Sequence, residues 1–151
     1  MYQQDLIYTA DAIETFIYMQ SNLKEIVEKP AVYGDGCHVN YGENESGECL
    51  YGDEKSDRTI VLYGDSHAAQ WFPSLEIIAS RNGYRLISLT KSACSSVEAP
   101  RENQGAFNNT ECNEWRKNSI ERIKRIEPYA VIVSSFQYFN PPSYVKDRNT
   151  W

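Results

Sequence analysis

Apolar residues follow two different patterns along the chain, and the pattern changes near residue 58. Over residues 11–28 apolar side chains recur at helical spacing. Asp11 and Glu14 stand at the spacing of a capping box, and Pro30 follows the last apolar position. This pattern predicts an amphipathic helix over 11–28. Residues 31–57 hold five glycines and few aliphatic residues, which predicts a long loop.

Short apolar runs alternate with helical patterns after residue 58. The runs at 59–63, 84–89 and 129–134 predict three strands, the first of them buried. Helical spacing predicts one helix over 67–82, in which Pro73 either starts a new first turn or kinks the helix, and another over 113–127. Residues 91–112 are predicted as a polar loop. Strand, helix, strand, helix, strand indicates an α/β fold with a parallel sheet.

The size and apolar content of the chain suit one compact domain. It has 151 residues, of which 41% are hydrophobic and 13% aromatic, enough to build a core and too few for two full domains. No apolar run approaches the ~20 residues of a membrane-spanning helix. The first residues lack the basic and apolar regions of a signal peptide, so none is expected.

Most of the excess negative charge is concentrated in one segment. The net charge is −6, and residues 28–57 carry eight acidic against two basic side chains, which accounts for all of it. A nucleic-acid partner needs a basic surface, so we expect none. The basic side chains between Arg116 and Arg125 alternate with glutamates on a helical pattern, which indicates a solvated helix face.

Four cysteines lie in the predicted loops. Cys37, Cys49, Cys94 and Cys112 allow three disulfide connectivities. We favour 37–49 and 94–112, because each bond would close a polar loop that has little else to hold it. The alternative is a zinc site using Cys37, His38 and Cys49, but the sequence has no closely spaced cysteine pair and we expect no metal or cofactor.

Disulfide bonds form in oxidising compartments, which predicts a location outside the cytoplasm. A chain that begins at Met1 without a signal peptide conflicts with that location. We therefore expect this chain to be an excised extracytoplasmic piece of a larger protein, monomeric as an isolated domain.

The candidate chemistry lies in Gly64-Asp65-Ser66-His67-Ala68, directly after the first buried strand. A serine there stands at the carboxyl edge of the sheet, where open α/β sheets bind ligands. The alternative interpretation is a Gly-Asp turn in which Ser66 only caps the next helix.

The run IVLYGDSHAAQWFPSL at 60–75 resembles the first conserved block of SGNH (GDSL-type) hydrolases. More narrowly, the chain is similar to the SGNH domains fused to bacterial membrane acyltransferase-3 proteins. Cysteines before and after the block, Lys91-Ser92 and the strand VIVSS extend the similarity over residues 31–140.

The resemblance implies a flavodoxin-like, three-layer SGNH fold in which Ser66 is the nucleophile and its backbone amide contributes to the oxyanion hole. Asp65, His67, Lys91 and Ser92 are the other candidate pocket residues. It implies three parts: a helix or linker over 1–30, an acidic disulfide-held extension over 31–57, and the SGNH-like domain over 58–151. With only three strands predicted, we expect that domain to be truncated after the third.

The family's catalytic base is a histidine three residues after an aspartate near the C-terminus of the domain, and this sequence has no such motif there. Asp147 is followed by Arg148, Asn149 and Thr150. The chain has two histidines. His67 is expected to line the pocket or fix the start of the helix rather than to act as the base. For His38 we favour a surface position over the alternative that it folds over the site.

The implied function is transfer of acyl groups of the acetyl type to hydroxyls of a cell-envelope polysaccharide. The fused acyltransferase-3 domain would supply the acyl donor and tether the domain to the membrane, with a glycan as acceptor. One alternative is a free carbohydrate esterase of the GDSL type. Another is a non-catalytic, disulfide-stapled glycan-binding domain whose surface aromatics grip sugars: Tyr33, Tyr41, Tyr51, Trp71, Tyr138 and Phe139.

Overall fold

A computed structural model describes residues 29–98 and 107–136 of the chain. The predicted helix over 11–28 lies outside the described residues, as do Tyr138 and Phe139. No helix within the described ranges is long and apolar enough to cross a membrane.

A five-stranded, mainly parallel sheet forms the centre of the molecule. The strands are β1 (His38–Val39), β2 (Leu50–Gly52), β3 (Thr59–Gly64), β4 (Arg85–Lys91) and β5 (Ala130–Ser134). Their order is β1-β4-β3-β5, and all of these neighbours are parallel. The short β2 pairs with β4 antiparallel. The predicted α/β fold with a parallel sheet is confirmed.

Helices lie on both faces of this sheet, as a three-layer fold requires. They are α1 (Ser66–Ala69), α2 (Phe72–Asn82) and α3 (Asn109–Ile126). Leu62 faces a core with Phe72 and Ala79 on the α1–α2 side. Its neighbours Val61 and Tyr63 face the other core, where the Tyr63 ring stacks on Trp115 of α3 with centroids 5.4 Å apart.

The helix boundaries confirm one prediction and correct another. Of the two alternatives for Pro73, the new first turn is confirmed: residues 67–82 are divided between α1 and α2, and Pro73 lies in the first turn of α2, where its missing N–H leaves no bond unmade. The helix predicted to begin at residue 113 begins at Asn109. Asn108 caps it by accepting hydrogen bonds from the amides of Thr110 and Glu111 at 2.9 and 3.3 Å, so the start lies within the predicted polar loop.

The segment predicted as loop over 31–57 also contributes to the sheet, so the prediction of only three strands is wrong. β1 and β2 both pair with β4, near its opposite ends, where His38 lies beside Thr90 and Leu50 beside Ile87. Strands of two and three residues are too short to show a period in the sequence.

Both favoured disulfides are present, Cys37–Cys49 and Cys94–Cys112. The first closes the loop between β1 and β2, and the second ties the segment after β4 to α3. Because all four sulfurs are bonded in pairs, these cysteines offer no thiolate to a metal, which removes the zinc alternative.

Gly64 permits a close backbone approach at the carboxyl end of β3. A Cβ at this position would lie 1.8 Å from the Ser134 carbonyl oxygen of β5, and the φ angle is +151°. Only a residue without a side chain fits there. Ser66, two residues later, is thereby kept close to the end of β5.

Gly64→Ala is expected to destabilise the fold by more than about 4 kcal/mol, or to prevent folding, because the methyl group would overlap a backbone carbonyl. Gly42→Ala is the matched control: φ is +85° there, but nothing lies within 4 Å of the added carbon. In the control only the strained backbone dihedral should lower the free energy of unfolding, by about 1–2 kcal/mol. Chemical denaturation measures both, and equal losses would contradict the close approach.

Candidate functional site

The turn after β3 is organised by the fully buried side chain of Asp65. Asp65 is the N-cap of α1, and its Oδ1 accepts a hydrogen bond from the His67 amide at 2.8 Å. Ser66 is the first residue of that helix, so the interpretation of Ser66 as the cap is wrong.

The second oxygen of Asp65 reaches the neighbouring strand. Its Oδ2 accepts a hydrogen bond from the Phe136 amide, two residues beyond β5, at 2.8 Å. The two bonds compensate the carboxylate for its lost hydration and fasten the end of β5 to the turn that carries Ser66. Ser66 remains partly exposed at this edge.

His38 lies inside the protein, so its predicted surface position is wrong. The residue is only 2% exposed, and its Nδ1 and Nε2 are each 3.0 Å from a hydroxyl, those of Thr90 and Ser92. Pairing of β1 with β4 carries it there, assisted by the disulfide of the preceding Cys37. Burial lowers the pKa of His38 to about 4; Asp65 opposes that shift and Lys91 adds to it.

A row of hydrogen-bonding side chains extends from His38 on the α1 side of the sheet. Thr90 Oγ1 is 3.2 Å from Ser88 Oγ, and Thr90 is aligned with Gly64 of β3. Ser88 is aligned with Leu62, which faces the α1–α2 core. Ser92, a predicted pocket residue, therefore lies in a polar row with His38, at the end of the strand next to the one that carries the Ser66 turn.

His67 stands beside Ser66 in α1 with its ring oriented by Asp65. Nδ1 is buried, makes no hydrogen bond in the described structure and lies 3.6 Å from Asp65 Oδ1, whereas the side chain as a whole is 43% exposed. The ring packs on Phe136, with centroids 4.8 Å apart. Adjacent helical side chains point in different directions, so a pair between Ser66 and His67 is not expected.

Lys91 is almost fully buried and engaged on the α3 side of the sheet. Its Nζ donates to the carbonyl oxygens of Asn40 and Glu43 at 2.5 and 2.7 Å and pairs with the Glu111 carboxylate. The bond from Lys91 lowers the pKa of Glu111 against an opposing effect of burial. This predicted pocket residue therefore holds the acidic segment to α3, and its ammonium is directed away from the Ser66 turn.

Arg116 contacts the loop that follows β4. It is buried, which corrects its assignment to a solvated face. Its guanidinium donates to the Ser95 carbonyl at 3.0 Å and contacts the sulfurs of Cys94 and Cys112. Burial lowers its pKa. The loop is also fastened to the end of β5, where the Ser96 amide and the Ser135 hydroxyl are 2.8 Å apart.

The structure therefore brings Asp65, Ser66, His67 and Phe136 together at one edge of the sheet, with Ser92 in the adjacent row. Sequence reasoning missed Phe136 and Thr90. Both follow from topology, because residues at the carboxyl ends of parallel strands meet at one edge. A partly exposed serine on a turn fixed by a buried carboxylate suits nucleophilic attack on a carbonyl, once a base removes its proton.

The comparisons with known proteins give one finding. A family model described as the SGNH domain (fused to AT3 domains) matches residues 36–150, which confirms the resemblance found in the sequence. No curated protein and no solved structure matches the chain.

Asp65→Asn is expected to lower the free energy of unfolding by about 1–3 kcal/mol. The asparagine side chain has one acceptor oxygen, so the backbone N–H of His67 or of Phe136 would face its NH₂ group. Asp53→Asn is the control, because Asp53 makes its side-chain bond on an exposed turn and its loss should stay within about 0.5 kcal/mol. Urea unfolding measures both; an unchanged Asp65→Asn variant would contradict the double role of the carboxylate.

His38 is expected to make stability depend on pH. Its pKa is about 4 in the folded protein and 6.5 without perturbation, so the unfolded chain binds the extra proton between these values. Stability is therefore full above about pH 6.5 and declines towards pH 4, by at most about 3 kcal/mol from this group.

Urea unfolding over that range, on the wild type and His38→Gln, isolates the effect because the carboxylates and His67 are common to both. As the pH falls, the free energy of unfolding should decline more steeply for the wild type than for His38→Gln. The difference between the two slopes should correspond to at most one bound proton. Identical slopes would show that His38 is not held neutral by burial.

Proposed function

Because the chain belongs to the family of SGNH domains fused to AT3 domains, we propose that it acts in acyl transfer with Ser66 as the nucleophile. The acceptor is a hydroxyl of a cell-envelope polysaccharide. The fused membrane domain supplies acyl groups of the acetyl type and tethers this domain to the membrane.

The observation that carries the proposal is the turn at the end of β3. Ser66 is partly exposed, directly follows the fully buried Asp65, and lies at the carboxyl edge of a parallel sheet. The hydrogen bonds that Asp65 accepts from the amides of His67 and Phe136 fix the backbone on both sides of the site. A nucleophile held in this way needs little reorganisation before it attacks.

The proposed reaction has two steps. Ser66 Oγ attacks the acyl carbonyl, loses its proton to a base and forms an ester as the donor's leaving group departs with a proton. A sugar hydroxyl then attacks this ester, and Ser66 Oγ regains a proton as the acylated sugar leaves. The Ser66 backbone amide is the proposed donor to the oxyanion in both steps.

Neither histidine among the described residues is arranged as the base for Ser66. His38 is buried between the Thr90 and Ser92 hydroxyls, and the side chain of His67 diverges from that of Ser66.

The disulfides support a location outside the cytoplasm. Cys37–Cys49 and Cys94–Cys112 account for all four cysteines. Such bonds persist in oxidising compartments and are reduced in most cytosols. The envelope polysaccharide acceptor is accessible from the same side, which makes the location and the substrate consistent with each other.

Ser66→Ala in the intact gene product is expected to abolish acylation of the polysaccharide, a loss of at least about a thousandfold in rate, because no other group can form the ester. Alkali-released acetate from purified polysaccharide provides the measurement. Ser80→Ala, on the exposed face of α2, is the matched control and should acylate normally.

Normal acylation by a stably folded Ser66→Ala protein would exclude Ser66 as the nucleophile and favour a binding role for the domain. If acylation of the polysaccharide rises instead of falling, the domain is an esterase that removes acyl groups through the same serine.

A further inference from the structure

Two aromatic side chains beside Ser66 remain half exposed although each has a packing partner. His67 is 43% and Phe136 46% exposed, and their rings lie 4.8 Å apart at an interplanar angle of 32°. Exposed apolar surface next to a reactive group is characteristic of a substrate contact. We call these two side chains the aromatic platform.

The backbone of the platform is fixed by one buried group. Asp65 accepts hydrogen bonds from the amides of both platform residues, through Oδ1 and Oδ2, each at 2.8 Å. The platform and Ser66 therefore share a single rigid attachment. Preorganised aromatic surfaces bind with little loss of conformational entropy.

The orientation of His67 leaves a polar edge towards solvent. Its Nδ1 is buried near Asp65, so the exposed part of the ring is the side that carries Nε2. The platform thus combines an apolar ring, that of Phe136, with one hydrogen-bonding nitrogen. Such a combination fits a ligand that has both a C–H face and hydroxyl groups.

The loop next to the platform is rich in hydroxyls, and the cations near it within residues 29–98 and 107–136 are occupied. Ser135 precedes Phe136 and bonds to Ser96 across the site edge at 2.8 Å. Lys91 is buried against Glu111, and Arg116 is buried against the Cys94–Cys112 disulfide. This surrounding suits a hydroxylated, uncharged ring better than a phosphate or a carboxylate.

We propose that Phe136 and His67 form the acceptor subsite of Ser66, where a pyranose ring stacks on Phe136 and a sugar hydroxyl hydrogen-bonds to His67 Nε2. The axial C–H groups of a sugar carry partial positive charge and match the negative face of an aromatic ring. The subsite rests on the proposed function, because it identifies the acceptor of that reaction as the group held beside the nucleophile.

The test uses the 151-residue chain carrying Ser66→Ala, so binding is measured whether or not Ser66 transfers acyl groups. Methyl β-glucopyranoside is titrated while NMR follows the ring signals of Phe136 and His67. Sorbitol is the ligand control, because it has hydroxyls but no ring face. We expect saturable shifts of both residues with the glucoside and none with sorbitol.

Variants then locate the binding. Phe136→Ala should weaken it by about fivefold to tenfold, and Phe136→Tyr should restore it. Tyr129→Ala is the matched control: Tyr129 is 70% exposed and packs on the Tyr84 ring at the opposite edge of the sheet. Its loss should leave glucoside binding unchanged. Thermal unfolding of each variant shows whether a loss of binding reflects a loss of fold.

Absence of saturable shifts, shifts confined to Tyr84 and Tyr129, or full binding by a folded Phe136→Ala variant would each overturn the subsite. None of these results bears on Ser66 as the nucleophile, which polysaccharide acylation tests separately. Conversely, sugar binding at the platform in a protein that does not need Ser66 for acylation would support a binding domain and refute the proposed acyl transfer.

Discussion

The carboxylate of Asp65 is the group on which the candidate site depends. It is fully buried, and its two oxygens accept backbone amides from His67 and Phe136. One side chain thereby ends β3, starts α1 and attaches the end of β5. Gly64 makes the arrangement possible, because any side chain there would overlap the Ser134 carbonyl. The contacts of Gly64 and Asp65 therefore position Ser66.

A second set of interactions holds the acidic segment, residues 31–57, at the same edge of the sheet. The Cys37–Cys49 disulfide and the pairing of β1 with β4 bury His38, while Lys91 binds two carbonyl oxygens of the segment and Glu111 of α3. A buried ion pair is weak evidence for stability, because both charges lose their hydration. The structural consequence of the contacts of Lys91 is the register of the acidic segment. These contacts determine where the segment crosses the end of β4 and therefore where His38 lies.

The parts of this structure that could be predicted from sequence are those with a strong local signal. β3, β4 and β5 are short, mainly apolar runs, the motif after β3 indicates Ser66, and loop closure favours the correct cysteine pairs. β1 and β2 were missed because two or three residues carry no period. The burial of His38 and Arg116 depends on partners distant in sequence, on β4 and in the Cys94 loop. Phe136 joins the site through a backbone amide, which leaves no trace in residue type.

The central claim is that Ser66 carries the acyl group between donor and sugar, and isolating the intermediate tests it most directly. The intact protein would be taken from cells that acylate their polysaccharide, quenched in acid, digested and examined by peptide mass spectrometry. We expect an acetyl-type group on the peptide that contains Ser66, and its loss when the membranes are first supplied with unacylated polysaccharide. An unmodified Ser66 peptide, with the acyl group on another residue of the same protein, would contradict the claim.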